Sequence, residues 1–155
     1  MSDNETNFDT ERTVVLLKPD TVARGLVGRI ISRFEDKWLK LVSLKLIQLT
    51  EDICRDHYGH HADKPYFPKI VSYMVDGPVV GVVLEGTDAV RQMRNLCGAT
   101  DPQFAAAGTI RGDFSGTIDA NLIHASDSVE TAQAEMDRFF DEDEIFSYEK
   151  SQYTK

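Results

Sequence analysis

The stretch NLIHASD, residues 121–127, places His124 at the end of a short apolar run. Alone, a histidine there is a hydrogen-bonded residue at a strand end. Elsewhere in the chain, three cations stand in settings that surface charge does not explain. Lys18 follows four aliphatic residues and precedes Pro19, so its ammonium must sit at a strand mouth, where ligands bind in sheet proteins. Arg94 falls on the last turn of a predicted helix, and Arg111 lies within GTIRGD in a long loop. Fixed cations beside an imidazole suit phosphoryl transfer, whose transition state spreads negative charge over three oxygens and is catalysed by positioning and electrostatics. Arginine grips phosphate through paired hydrogen bonds. Imidazole is neutral for much of the time near neutral pH and can carry the group covalently, dividing one transfer into two. Neither GxxxxGK[ST] nor GxGxxG occurs, so phosphate must be held without those loops.

The elements that must position these residues follow from the hydropathy pattern. TVVLLK, 13–18, reads as a buried strand stopped by Pro19, with Asp20 and Thr21 available as caps. Val22, Leu26, Val27, Ile30, Ile31 and Phe34 recur at helical spacing and predict one helix from Val22 to Phe34. LVSLKLIQL, 41–49, predicts a second strand; Thr50 opens a short helix towards Tyr58, and another runs from about Pro68 to a stop at Gly77 and Pro78. VVGVVLEG predicts a third strand, followed by a helix capped by Thr87 and ended by Gly98. Residues 99–120 show no periodicity and read as a long functional loop. NLIHAS supplies the last strand, and Ser128 caps a final helix through Thr131. The order predicts an α+β, ferredoxin-like sandwich: a four-stranded antiparallel sheet covered by helices.

With 155 residues, the chain fits one compact domain. Residues 1–11 read as a disordered acidic tail and 12–155 as a single domain. The net charge of −9 opposes general nucleic-acid binding, which rests on Lys and Arg contacts to phosphate. Residues 1–11 carry four acids and no bases and 127–155 nine acids against three bases, so the body between them holds 13 acids and 14 bases and is nearly neutral. Acidic ends around a neutral body act as a solubilising surface and are compatible with a salt-rich cell. No apolar run approaches the roughly 18 residues a membrane span needs, and no leader is apparent, so a soluble cytoplasmic protein is expected. Cys54 and Cys97 form no CxxC and read as buried thiols.

At this point the residues resemble a known family. NLIHASD is similar to the active-site signature of the nucleoside diphosphate kinases, and ERTVVLLKPD, RGLVGRIISRFE, HYGHHADKPYF, DGPVV, LEG, GATDP and GTIRGD recur in that family's order across residues 11–148. The resemblance implies transfer of the γ-phosphoryl group of a nucleoside triphosphate to a diphosphate, by a ping-pong route through a phosphohistidine on Nδ1 of His124. It places Lys18, Tyr58, Arg94, Thr100, Arg111 and Asn121 on phosphate and ribose contacts. Ser126 and Glu135 fall on the positions that orient the histidine. Tyr66 falls where the family stacks a phenylalanine on the base, flanked by Ile70, with Ile118 closing the pocket. Stacking is tolerant of base identity, so broad nucleotide acceptance follows. Mg2+ is implied on the nucleotide phosphates with few or no protein ligands. A homo-oligomer is implied, a hexamer first and a tetramer next. Departures are Tyr66, Ala125 in place of a frequent glycine, Ala107 in place of a proline, and an end, YEKSQYTK, without the family's tryptophan-containing tail.

Two other readings compete. HYGHHAD places His57 and His61 four apart with Asp63 nearby, but Gly59 weakens a helix there and no HExxH is formed, so these read as surface histidines without a metal. The rival function is a non-catalytic ferredoxin-like nucleotide-binding or regulatory module. An RNA-reading version needs exposed aromatics on its central strands, and TVVLLK and LIHAS offer none. A small-molecule sensor would not need Lys18, Arg94, Arg111 and His124 together.

Overall fold

The computed structural model of the chain describes residues 10–149. Four strands, β1 (Thr10–Leu17), β2 (Lys40–Ile47), β3 (Val79–Thr87) and β4 (Ile123–Ala125), form one antiparallel sheet in the order β2-β3-β1-β4. This is the expected ferredoxin-like α+β arrangement. β1 begins three residues before the predicted strand and takes in Thr10 and Glu11; the rest of the expected tail lies outside the described residues.

Strand side chains alternate between faces, so a continuous apolar strand must be covered on both. Val15, Leu17, Val82 and Leu84 pack on one face against Ile30 and Phe34 of helix α2 (Val27–Asp36) and Met93 of α5 (Ala89–Cys97). Val14, Leu16 and Val83 pack on the other against Cys54 of α3 (Glu51–His57), Val71 and Met74 of α4 (Phe67–Met74), and Met136 and Phe139 of α7 (Val129–Phe139). Each fully buried aliphatic or aromatic side chain contributes about 1.5–3 kcal/mol. Cys54 and Cys97 are buried free thiols, as expected, and burial pushes both up to about 11. Among the described residues no helix is long and apolar enough to cross a membrane.

The structure corrects four local expectations. The helix predicted from Val22 to Phe34 is two helices, α1 (Pro19–Ala23) and α2, because Gly25 adopts φ 68° and Leu26 N–H folds back to Thr21 O at 3.0 Å. Asp20 and Thr21 lie inside α1 and do not cap it: Asp20 accepts from the Tyr73 hydroxyl, and Thr21 donates to Leu122 O at 2.7 Å. Asp88, at φ 53°, rather than Thr87 is the N-cap of α5, and Glu11 of β1 accepts from Val90 N–H at 3.1 Å. The long loop holds a helix, α6 (Ile110–Phe114), capped by Thr109, whose hydroxyl accepts from Gly112 N–H at 3.0 Å. A Cβ at Gly112 would lie 2.0 Å from Ala106 O, so that turn closes only around glycine.

Gly25 and Gly28 both face open space, and only Gly25 has a positive φ. Gly25→Ala should destabilise by about 1 kcal/mol, whereas Gly28→Ala, in the first turn of α2, should stabilise by about 0.5 kcal/mol. Denaturant midpoints of the two variants should therefore move in opposite directions.

Candidate active site

β4 is three residues long, yet its register decides the site. Leu16 pairs with His124, so His124 shares the sheet face of Leu16, the face covered by α3 and α7. His124 Nε2 lies 2.6 Å from Glu135 Oε2 on α7. Glu135 is 2% exposed, and the Ser126 hydroxyl donates to its other oxygen while accepting from Val14 N–H at 3.2 Å. A buried carboxylate takes its proton donor from Nε2, so the neutral imidazole is the Nε2–H tautomer and Nδ1 keeps the lone pair. Burial opposes ionisation of Glu135, but the hydrogen bonds from His124 and Ser126 outweigh it and hold the carboxyl below its ordinary value.

A cavity of about 540 Å³ opens before His124, lined also by Lys18, Tyr58, Arg94, Thr100, Arg111, Asn121 and Glu135. Lys18 Nζ donates to Asn121 Oδ1 at 2.7 Å, and Asn121 Nδ2 donates to Thr100 O at 3.1 Å. Arg111 donates to the carbonyls of Asn121, Gly98 and Ile123 at 3.3, 2.9 and 2.6 Å, tying α6 to β4 while holding its charge at the wall. Arg94 Nη1 reaches Ala125 O at 3.3 Å. Burial, then the neighbouring Arg111 charge, pull Lys18 down to about 8. The buried Tyr58 hydroxyl has no hydrogen-bond partner among the described residues. Burial raises its pKa, which keeps that proton in place.

The link between Asn121 and β4 is strained. Leu122 is fully buried at φ 72°, a conformation unfavourable for a branched side chain, and Lys18 N–H and the Thr21 hydroxyl both clamp its carbonyl, at 2.8 and 2.7 Å.

Eight of the twelve predicted site residues line the cavity, and Ser126 stands behind it as a support for Glu135. Tyr66, Ile70 and Ile118 do not line it. Tyr66 and Ile118 are exposed, and the segments carrying the three are joined by the Lys69–Asp119 ion pair at 2.9 Å. His57 was expected at the surface and is instead buried at 7% exposure in the site, its ring 4.7 Å from that of His124 and its Nδ1 3.5 Å from Glu135 Oε2. Arg138 also lines the cavity and was not singled out from sequence. The helical spacing Glu135 to Arg138 on α7 was a usable signal for it.

His57, His124 and Glu135 offer ligand atoms within 4.8 Å of one another. The nitrogens that face the carboxylate are already occupied, His124 Nε2 by Glu135 and His57 Nδ1 by Arg138 at 3.0 Å, so the trio is a hydrogen-bonded cluster rather than a metal cage. A larger groove of about 680 Å³ runs beside β2, but its walls are mostly apolar and its Lys45 and Glu144 pair with each other at 2.8 Å. It holds no convergent chemistry.

Burial, with the His124 charge next, lowers the His57 pKa from 6.5 to about 3. Between those values the unfolded chain binds a proton that the folded one refuses, so stability must fall as pH is lowered through that window. Glu135, ionised in the fold below its ordinary 4.5, adds a further loss there. Denaturation measured across this range should show the decline, and His57→Gln should flatten it above about pH 4.5; an unchanged slope would reassign the group.

Comparisons with known proteins identify the family and the fold. A family profile described as Nucleoside diphosphate kinase matches residues 11–145. A nucleoside diphosphate kinase of Thermoplasma acidophilum is 55% identical over 139 residues, covering 90% of this chain and 94% of that protein. One from Natronomonas pharaonis is 50% identical over 143 residues, covering 92% and 94%. The crystal structure of a nucleoside diphosphate kinase family protein from Babesia bovis superposes with a TM-score of 0.88 at 43% identity, covering 91% of this chain and 95% of that one. A halophilic nucleoside diphosphate kinase from Halobacterium salinarum, in complex with CDP, superposes with a TM-score of 0.90 at 45% identity, covering 94% and 97%. With the family profile spanning residues 11–145 and relatives about half identical over nine-tenths of the chain, this chain belongs to the nucleoside diphosphate kinase family of phosphotransferases.

Proposed function

We propose that the chain moves the γ-phosphoryl group of a nucleoside triphosphate to a nucleoside diphosphate in two half-reactions, with His124 carrying the group between them. The observation that supports this most is the 2.6 Å hydrogen bond from His124 Nε2 to Glu135, which leaves the Nδ1 lone pair as the nucleophile. In the first half-reaction Nδ1 forms a bond to the γ-phosphorus. The bond from phosphorus to the bridging oxygen breaks, its electron pair stays on the departing diphosphate, and the Nε2 proton remains between His124 and Glu135. In the second, a terminal oxygen of the acceptor diphosphate attacks the same phosphorus and the N–P bond breaks.

Lys18, Arg94 and Arg111 neutralise charge on the transferring oxygens. Tyr58 supplies its spare hydroxyl. Thr100 and Asn121 position phosphate and ribose, and Ser126 and Glu135 orient the imidazole. Tyr66, Ile70 and Ile118 form the base cleft on the segments that Lys69 and Asp119 join. Base stacking there is sequence-tolerant and supports broad nucleotide acceptance. The cavity's carboxylates are engaged, Asp56 by Arg138, Glu135 by His124 and Asp127 by Thr131, which suits a metal held by phosphate and water rather than by the protein. Mg2+ on the nucleotide, when bound, supplies charge neutralisation of the phosphates. The same reading takes residues 12–155 as one domain of a cytoplasmic homo-oligomer, a hexamer first and a tetramer next, acting on nucleotides without nucleic-acid or membrane partners.

Incubation with γ-labelled ATP and Mg2+ should leave alkali-stable, acid-labile label on His124 that departs on adding GDP. His124→Ala should abolish transfer while retaining nucleotide binding. A nucleotide-binding protein that takes up no label would return the chain to the non-catalytic module. Lys18 supplies a second test through its depressed pKa of about 8. It is charged below that pH and neutral above it, so kcat/KM should decline above about pH 8. Lys18→Arg, whose charge persists to high pH, should lose that decline whatever its absolute rate.

A further inference from the structure

Arg138 projects from α7 one turn beyond Glu135 and is held at two points. Its Nε donates to Asp56 Oδ2 at 2.7 Å, and its Nη1 donates to His57 Nδ1 at 3.0 Å. A guanidinium has five N–H donors and no acceptor, so a nitrogen that receives its hydrogen bond must present a lone pair. His57 Nδ1 is also 3.5 Å from Glu135 Oε2, the same oxygen that receives His124 Nε2. With its proton on Nδ1, His57 would become a second donor to that oxygen and compete with His124.

We propose that Arg138 is a positioning residue for the transfer: it pins His57 as the Nε2–H tautomer and so reserves Glu135 Oε2 for His124. This rests on the phosphohistidine reading of the site. The groups facing His57 are His124 on β4, Glu135 and Arg138 on α7, and Tyr58 and His60 on its own segment. Burial, His124 and Arg138 disfavour a charged His57, and Glu135 favours it, with a net result of about 3. His57 is therefore neutral across the working range, and its two neutral tautomers are the remaining choice. The second anchor on Asp56 fixes the guanidinium against rotation, so the choice is made by a preorganised donor.

The test pairs 15N imidazole spectra with kinetics. Wild-type protein should show His57 as the Nε2–H tautomer. Arg138→Leu should populate the Nδ1–H form and lower kcat about three- to tenfold, the effect of weakening one hydrogen bond in the transition state, with KM for nucleotide within about twofold. Arg138→Lys, whose ammonium still donates to Nδ1, should retain the wild-type tautomer and recover most of kcat, which keeps the test open if the leucine variant folds poorly. An Nδ1–H tautomer in the wild type, an unchanged tautomer in Arg138→Leu, or a switched tautomer with wild-type kcat would each overturn the role. A loss confined to KM would make Arg138 a phosphate contact and overturn it equally. Label on His124 in the wild type separates these results from failure of the phosphohistidine reading, which would remove the label itself.

Discussion

The site hangs on one buried carboxylate. Glu135 is sealed between α7 and the sheet, where an ionised oxygen is stable only if hydrogen bonds replace its lost water. His124 satisfies one oxygen and Ser126 the other, and Ser126 is itself held by the backbone of Val14 on β1. The requirement acts in both directions. The carboxylate fixes the imidazole tautomer, and the need to satisfy the carboxylate fixes how α7 docks on the sheet. Loss of any one partner would leave a charged oxygen short of a donor, a cost larger than the net gain from making the bond.

The cations are arranged by a related constraint. Lys18, Arg94 and Arg111 converge on a half-enclosed cavity, where mutual repulsion and lost hydration work against them. Backbone carbonyls of Gly98, Asn121, Ile123 and Ala125 offset part of that cost and hold Arg94 and Arg111 in place before any ligand arrives. Two of those carbonyls, of Asn121 and Ile123, flank Leu122, which turns through a left-handed conformation whose own carbonyl Lys18 N–H and the Thr21 hydroxyl hold. Backbone strain and preorganised charge thus occupy the same few residues, as a site built for a polyanion requires.

Much of this was legible from residue types and order. The uninterrupted run VVLL announced a strand buried on both faces, and NLIHASD with Lys18, Arg94 and Arg111 announced phosphate chemistry. The four-stranded antiparallel sheet followed from the succession of strands and helices. The misses have separate causes. Gly25 broke a helix whose apolar spacing ran straight through it, because a single left-handed residue leaves periodicity intact while turning the chain. Five-residue α6 is too short to show a period, and its formation depends on Thr109 and on the close approach of Ala106 to Gly112.

His57 marks the boundary between the two kinds of information. Its sequence surroundings, HYGHHAD, are polar and resemble an exposed cluster, yet α3 docks so that His57 alone of the three histidines is buried. Its partners Glu135, His124 and Arg138 lie on two other elements, and no local pattern encodes that meeting. The sequence by itself determined the sheet, and its cations pointed to phosphate chemistry, because these depend on residue chemistry and short-range periodicity; the role expected of His124 came from the resemblance of its motif to a known family. Tertiary structure alone decided that His57 joins the site, how Glu135 is sealed behind His124 and which arginine reaches His57. Those outcomes depend on burial and on distances of about 3 Å between residues far apart in the chain, where a shift of one position in strand register would turn His124 to the opposite face.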